Sequence, residues 1–142
     1  MQQAKRITAD AGLNEKVIFK GMMIPAALKQ QTQKAYVGIT LFEPGARSNY
    51  YSLATRFFDY IQAGVPQLCV DFPVYYELNN KHEVAVLVKD TSSVTIARAL
   101  NDLLDDRNRW ERLSKNCLEA AKTWNWQEEE KKLLNFYKQV FG

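Results

Sequence analysis

Four short apolar runs, KVIFKG, YVGITLF, PQLCVDFP and VAVLVKD, recur along the chain, with polar or amphipathic stretches of helical character between them. Runs of this length, apolar at nearly every position, suit strands covered on both faces. Strands that alternate with helices predict an α/β domain built on an open, mostly parallel sheet. The expected strands are about Val17–Phe19, about Val37–Phe42, the segment PQLCVDFP broken by Pro73, and VAVLVKD. The expected architecture is therefore a Rossmann-like sheet of about four strands flanked by helices.

The helices between the strands carry their own signals. Pro25 stands where a first helical turn tolerates proline. A helix from about Leu53 to Ala63 ends at Gly64, which suits its C-cap. SSVTIARALNDLLDD begins with serine caps and shows a stripe of Val94, Ala97, Leu100 and Leu104. Two further helices, split near Asn125, make a helical tail over about 108–142. In that tail QEEEKK reads as a solvated face with i, i+4 pairs such as Glu128–Lys132. The 142 residues read as one domain, 1–142, without repeats or linkers.

Composition narrows the function. With 46% hydrophobic and 25% charged residues the chain is ordinary for a globular fold, and its net charge of +3 is too mild to argue for nucleic acid. Cys69 and Cys117 form no CxxC pair and read as buried thiols, which fits a reducing cytosol. No stretch reaches the roughly 20 apolar residues of a membrane span, and the N-terminus lacks a signal-peptide core. A cytoplasmic protein is expected. The single His82, read as a solvated loop residue, and the absence of any His/Cys cluster argue against a metal. No GxSxG, GxGxxG or Walker loop is present.

Ligands of parallel sheets bind beyond the carboxyl ends of the strands. KGMMIP, EPGARSNYYS and DFPVYYE occupy those positions. The helix in RFFDYIQAGVP belongs to the same edge. At 100° per residue Leu53, Phe57, Tyr60 and Ile61 form its apolar face, and Ser52, Arg56, Asp59 and Ala63 fall together beside it. Ser52 near the helix start would favour an anion, Arg56 would fork onto phosphate, and Asp59 would accept hydrogen bonds from a ribose diol. Ala63 leaves room for a sugar or base. An Arg and an Asp three residues apart are more often a solvated surface pair, and spacing alone favours that reading over the ligand one. Tyr50 and Tyr51 either edge the pocket or pack down on a neighbouring helix. Tyr75, Tyr76 and Glu77 either edge the pocket or simply start a helix. Asp71 is expected to cap the turn after its strand. Trp110, Trp124 and Trp126 are spaced for helix packing more than for stacking on sugars.

TRFFDYIQAGVPQLCVDFP resembles the PxKxFEYMAAGxPVI segment of the C-terminal, donor-binding half of GT-B glycosyltransferases, with the retaining family four the nearest in pattern. VIFKGMM, AYVGITLF, VAVLVKDTSSVTIARALNDLLDD and NWQEEEKKLLNFYKQVF resemble further segments of that half, in the same order. The resemblance implies the donor nucleotide-diphospho-sugar-binding part of an enzyme that transfers a sugar to an acceptor hydroxyl, as in polysaccharide biosynthesis. It implies a nucleotide sugar as donor substrate and neither metal nor other cofactor. By resemblance Arg56 touches the donor diphosphate, Asp59 the ribose, and Met22 and Met23 line the nucleobase pocket. The loop from Glu43 to Ser52 lies where donor sugar and phosphates are contacted. The family's paired-glutamate motif puts its first glutamate where this chain has Tyr51, and Glu43 is the alternative carboxylate and the one catalytic candidate. Asp59 is also a methylene shorter than the family's glutamate.

Two strands expected upstream of VIFKG, and the acceptor-binding half, have no counterpart in the chain. In the strand order 3-2-1-4-5-6 the missing pair would lie between the first two runs. Either those two runs pair directly, or another molecule completes the sheet, giving a homodimer. On this basis the chain alone is expected to be inactive, with membrane association only in a full-length enzyme. The alternative is a non-catalytic nucleotide-binding or self-association module, a remnant of such an enzyme.

Overall fold

The computed structural model describes residues 1–43, 45 and 47–142. It is an α/β fold with a parallel three-stranded sheet in the order β1-β2-β3: β1 Gly38–Thr40, β2 Gln67–Val70 and β3 Ala85–Val88. Helices α1 (Gln2–Asp10) and α2 (Pro25–Thr32) precede β1. A short α3 (Arg47–Tyr51) and α4 (Thr55–Gln62) connect β1 to β2, and α5 (Pro73–Lys81) connects β2 to β3. Helices α6 (Ser93–Asp105), α7 (Arg107–Ala121) and α8 (Trp126–Phe141) follow.

Both faces of the sheet are covered. On one side Phe57, Ile61, Cys69, Tyr75, Cys117 and Ala120 form a core between the strands, α4, α5 and α7. On the other, Leu68, Val86 and Val88 meet Leu103 and Leu113. A buried polar link ties the layers together. The Thr40 hydroxyl donates to Gln67 Oε1 (2.8 Å), and Gln67 Nε2 donates to the Phe57 carbonyl (3.0 Å), so β1, β2 and α4 share one side chain. Gly38 lets β1 approach α4: a Cβ there would stand 2.5 Å from the Tyr60 ring. Asn79 fixes the entry to β3, accepting from the Val84 and Ala85 amides and donating to the Ala85 carbonyl.

Several helix ends follow the local signals. Gly64 takes φ +69° after α4, and the Val65 amide reaches back to the Tyr60 carbonyl. Pro25 and Pro73 sit in first turns. Ser92 caps α6, and Asn125 caps α8.

The structure corrects other expectations. Val17–Phe19 forms no strand, and Ile18 is 75% exposed. A strand needs a neighbour, and this segment does not pair with β1, whose outer edge is open among the described residues. The direct closure of the gap is thereby overturned. The stripe on α6 is rotated. Leu103 is buried and Ile96, Ala99 and Leu100 pack inward against Leu68, Val86 and Val88, while Val94 and Leu104 are exposed. Lys131 pairs with Glu128 and Lys132 with Glu129, so the tail pairs run i, i+3. Asp71 caps nothing. Phe72 is the N-cap of α5, and it makes no side-chain cap bond. His82 is no solvated loop residue: it ends α5 with its ring edge-on to Trp124 at 4.9 Å.

Candidate functional site

Helix α4 supplies the centre of the site. Its hydrophobic side is anchored by Phe57 and Ile61, both fully buried, which turns Arg56 and Asp59 outward. The helix starts at Thr55 because the Ala54 backbone is extended and its amide donates to the Tyr75 hydroxyl (3.0 Å). Tyr75 is buried, and this burial raises its pKa. Among the described residues no side chain caps the helix; the Phe57 amide donates to the Ala54 carbonyl (3.0 Å), which leaves the Thr55 and Arg56 amides without a capping side chain. Ser52 lies in the exposed stretch before Leu53 and is not the cap.

Arg56 reaches toward the carboxyl end of β1. Its guanidinium lies 5.3 Å from the centroid of the Phe42 ring, and Phe42 is stacked on Tyr75 at 6.4 Å. An aromatic face under a guanidinium holds it flat while leaving its edge donors available. Among the described residues Arg56 and Asp59 form no salt bridge with each other or with any other side chain. The self-neutralising surface pair that the spacing allowed is therefore not formed.

Asp59 borders two cavities. One, of about 370 Å³, lies between α2 and α4, with Pro25, Lys29, Thr32 and Ala63 among its walls. The other, of about 800 Å³, lies between α4, α5 and the α7–α8 corner. Asp59 and Ala63 thus share the first cavity, as their common helix face implies, and Arg56 lines neither. Met22 is fully exposed and Met23 half-buried in the segment leading to Pro25, and neither lines either of these two cavities.

The expected ligand loop is partly helical. Pro44 and Ala46 of that loop lie outside the described residues. Glu43 is exposed just past β1, and Tyr51 is exposed on α3. Tyr50 packs on Phe72 (4.9 Å) and meets Tyr51 edge-on (5.0 Å), so the pair is anchored on the start of α5 and leaves Tyr51 facing outward. Tyr76 and Glu77 are exposed on the first turns of α5. Sequence reasoning missed Phe42, Lys29 and Thr32. The position of Phe42 at a strand end was a usable signal. The facing of α2 toward α4 had none, because it depends on contacts distant in the chain.

No protein-family model matches the chain. No curated protein matches it in sequence. Among solved structures it superposes on sucrose-phosphate synthase from Thermosynechococcus elongatus with a TM-score of 0.82 at 19% sequence identity, over 99% of this chain and 34% of that chain. The likeness is one of fold: both share a Rossmann-like α/β arrangement with a parallel sheet flanked by helices. The chain spans about a third of the length of the synthase chain it matches. Among the described residues no helix is long and apolar enough to cross a membrane.

Proposed function

We propose that this chain is the donor nucleotide-diphospho-sugar-binding part of a cytoplasmic GT-B glycosyltransferase of the retaining, family-four type. The arrangement on α4 carries the reading. Arg56, spread over Phe42 at the carboxyl end of β1, would hold the diphosphate together with the uncapped amides of the helix start. Asp59, one turn on, would accept the ribose hydroxyls at the mouth of the α2–α4 cavity. Ala63 and the segment of Met22 and Met23 leading into Pro25 would take the base. From Arg56 to Ala63 the helix rises about 10 Å, comparable with an extended nucleoside diphosphate.

In transfer, the bond between the anomeric carbon and the diphosphate oxygen breaks, and the leaving diphosphate gains negative charge. Arg56 and the helix amides would stabilise that charge, an electrostatic contribution worth more as water is excluded. Ser52, Glu43 and Tyr51, exposed between β1 and α4, would contact the donor sugar and phosphates. The test is thermal unfolding with UDP, GDP and their sugars at millimolar concentration. Binding to the folded state raises Tm by mass action, and Arg56→Ala and Asp59→Ala are expected to abolish the rise. An unchanged Tm with every nucleotide would refute the reading.

One observation favours a second role, self-association. Among the described residues Val17, Ile18 and Phe19 are exposed and in no strand, and Ile39 is exposed on β1, whose outer edge has no strand. Open apolar edges recruit strands. Sedimentation of the chain would then give a dimer that Ile18→Lys dissociates, and a monomer at all concentrations would rule the role out.

A further inference from the structure

We infer that the 800 Å³ cavity between α4, α5 and the α7–α8 corner is a second binding site, for a neutral oligosaccharide, with Trp126 as its stacking platform. The three tryptophans divide by environment. Trp110 stacks on Tyr36 (4.7 Å) and donates its Nε1–H to the Tyr36 carbonyl. Trp124 is held edge-on by Phe58 and His82. Trp126 is 64% exposed, makes no aromatic pair among the described residues, and forms a wall of the cavity.

The corner that carries Trp126 is rigid. Asn125 Nδ2 donates to the Ala121 and Lys122 carbonyls, and Asn125 Oδ1 accepts from the Glu128 amide. Gln62 Nε2 donates to the Trp124 carbonyl at 2.7 Å, which fastens the corner to α4. The indole is thus presented from a preorganised position, and little ordering is lost when a ligand settles on it.

The wall chemistry selects the ligand class. Phe58, Leu78 and the two tryptophans provide apolar planes, and the charged side chains are Asp59 and Glu129 against Lys81 and Lys132. Two acids face two bases, so the walls carry no net charge to attract a polyanion such as a nucleoside diphosphate. A pyranose presents an apolar C–H face and a rim of hydroxyls. The face suits the indole, and the rim suits the Gln127 amide as acceptor and donor and Lys81 as donor, neither of which belongs to the nucleotide site on α4. The volume falls within the roughly 300–1,000 Å³ of small-molecule sites.

The test uses the full chain and its three tryptophan indole N–H resonances, with maltotriose and cellotriose as neutral probes and UDP as the anionic one. Either sugar at millimolar concentration is expected to shift the Trp126 resonance most. Trp126→Ala is expected to weaken binding by about tenfold, in keeping with the loss of one aromatic platform, and Lys81→Ala by less, with circular dichroism unchanged in both. UDP is expected to leave the Trp126 resonance in place, so failure of the nucleotide site would not be mistaken for failure of this one. The inference is overturned if neither sugar moves Trp126, if Trp126→Ala binds as tightly as the parent, or if UDP moves Trp126 and the sugars do not.

Discussion

The sheet with α4, α5 and α7, and the two ends of the chain, contain the same kinds of residue under opposite conditions. In the first region Phe57, Ile61, Leu68, Tyr75 and Leu113 are fully buried, and the polar groups among them are bonded, as in the chain Thr40–Gln67–Phe57. At the ends, Ile18, Leu134, Phe136 and Phe141 are exposed, although Leu133, Leu134, Tyr137, Val140 and Phe141 of α8 follow helical spacing. Apolar content alone does not decide what becomes core. A segment is buried when a partner lies opposite it, and β1 has β2 while Val17–Phe19 has none.

The contrast is most easily broken by truncation. Phe57→Ala removes a ring packed on Tyr75 at 5.2 Å and is expected to cost about 3–5 kcal/mol. Phe136→Ala on α8 is expected to change stability by less than about 0.5 kcal/mol. Urea unfolding of both variants measures the difference, and equal losses would mean that α8 is packed in solution.

Alkaline pH sharpens the same contrast. Cys69 and Cys117 lie only in the buried region, and burial raises each thiol from 9.0 to about 12. Above pH 9 the unfolded chain releases protons that the folded chain keeps, so the unfolded state gains. Stability is then expected to fall by up to about 1.4 kcal/mol per pH unit for each thiol, until the pH nears 12. Denaturation followed from pH 8 to 11 should show this fall, with a shallower slope in Cys117→Ala. The same slope in that variant would remove the thiol as its cause.

A smaller effect is expected from Gln67→Leu, which keeps the bulk and deletes the bonds to Thr40 and Phe57. The loss should be about 1–3 kcal/mol. A neutral result would mean that packing, without the polar link, holds β1 against β2 and α4.

The sequence made some of this legible and not the rest, for physical reasons. Gly64, Pro25 and Ser92 act on neighbours within a turn, and their roles were readable; Pro73 and Asn125 were legible only as breaks, not as the first-turn proline of α5 and the cap of α8. The outward placement of Arg56 and Asp59 followed from helical period alone. The start of α4 was not readable, since it is set by Tyr75 from 21 residues away in sequence, and that is why Ser52 is not its cap. The Val17–Phe19 segment has the composition of a strand, but its conformation depends on a neighbour that a local pattern does not specify. On α6 two apolar stripes compete, and the sheet below selects the one containing Leu103.

The central claim is that a nucleoside diphosphate lies along α4 with its phosphates toward Arg56 and its pentose at Asp59. Mapping backbone amide NMR shifts on addition of UDP and GDP tests it most directly. The predicted result is a set of perturbations running from Phe42 and Thr55 through Asp59 to Ala63, with Gly21–Ile24 included. Perturbations confined to β3 and α6, or none at millimolar nucleotide, would contradict it.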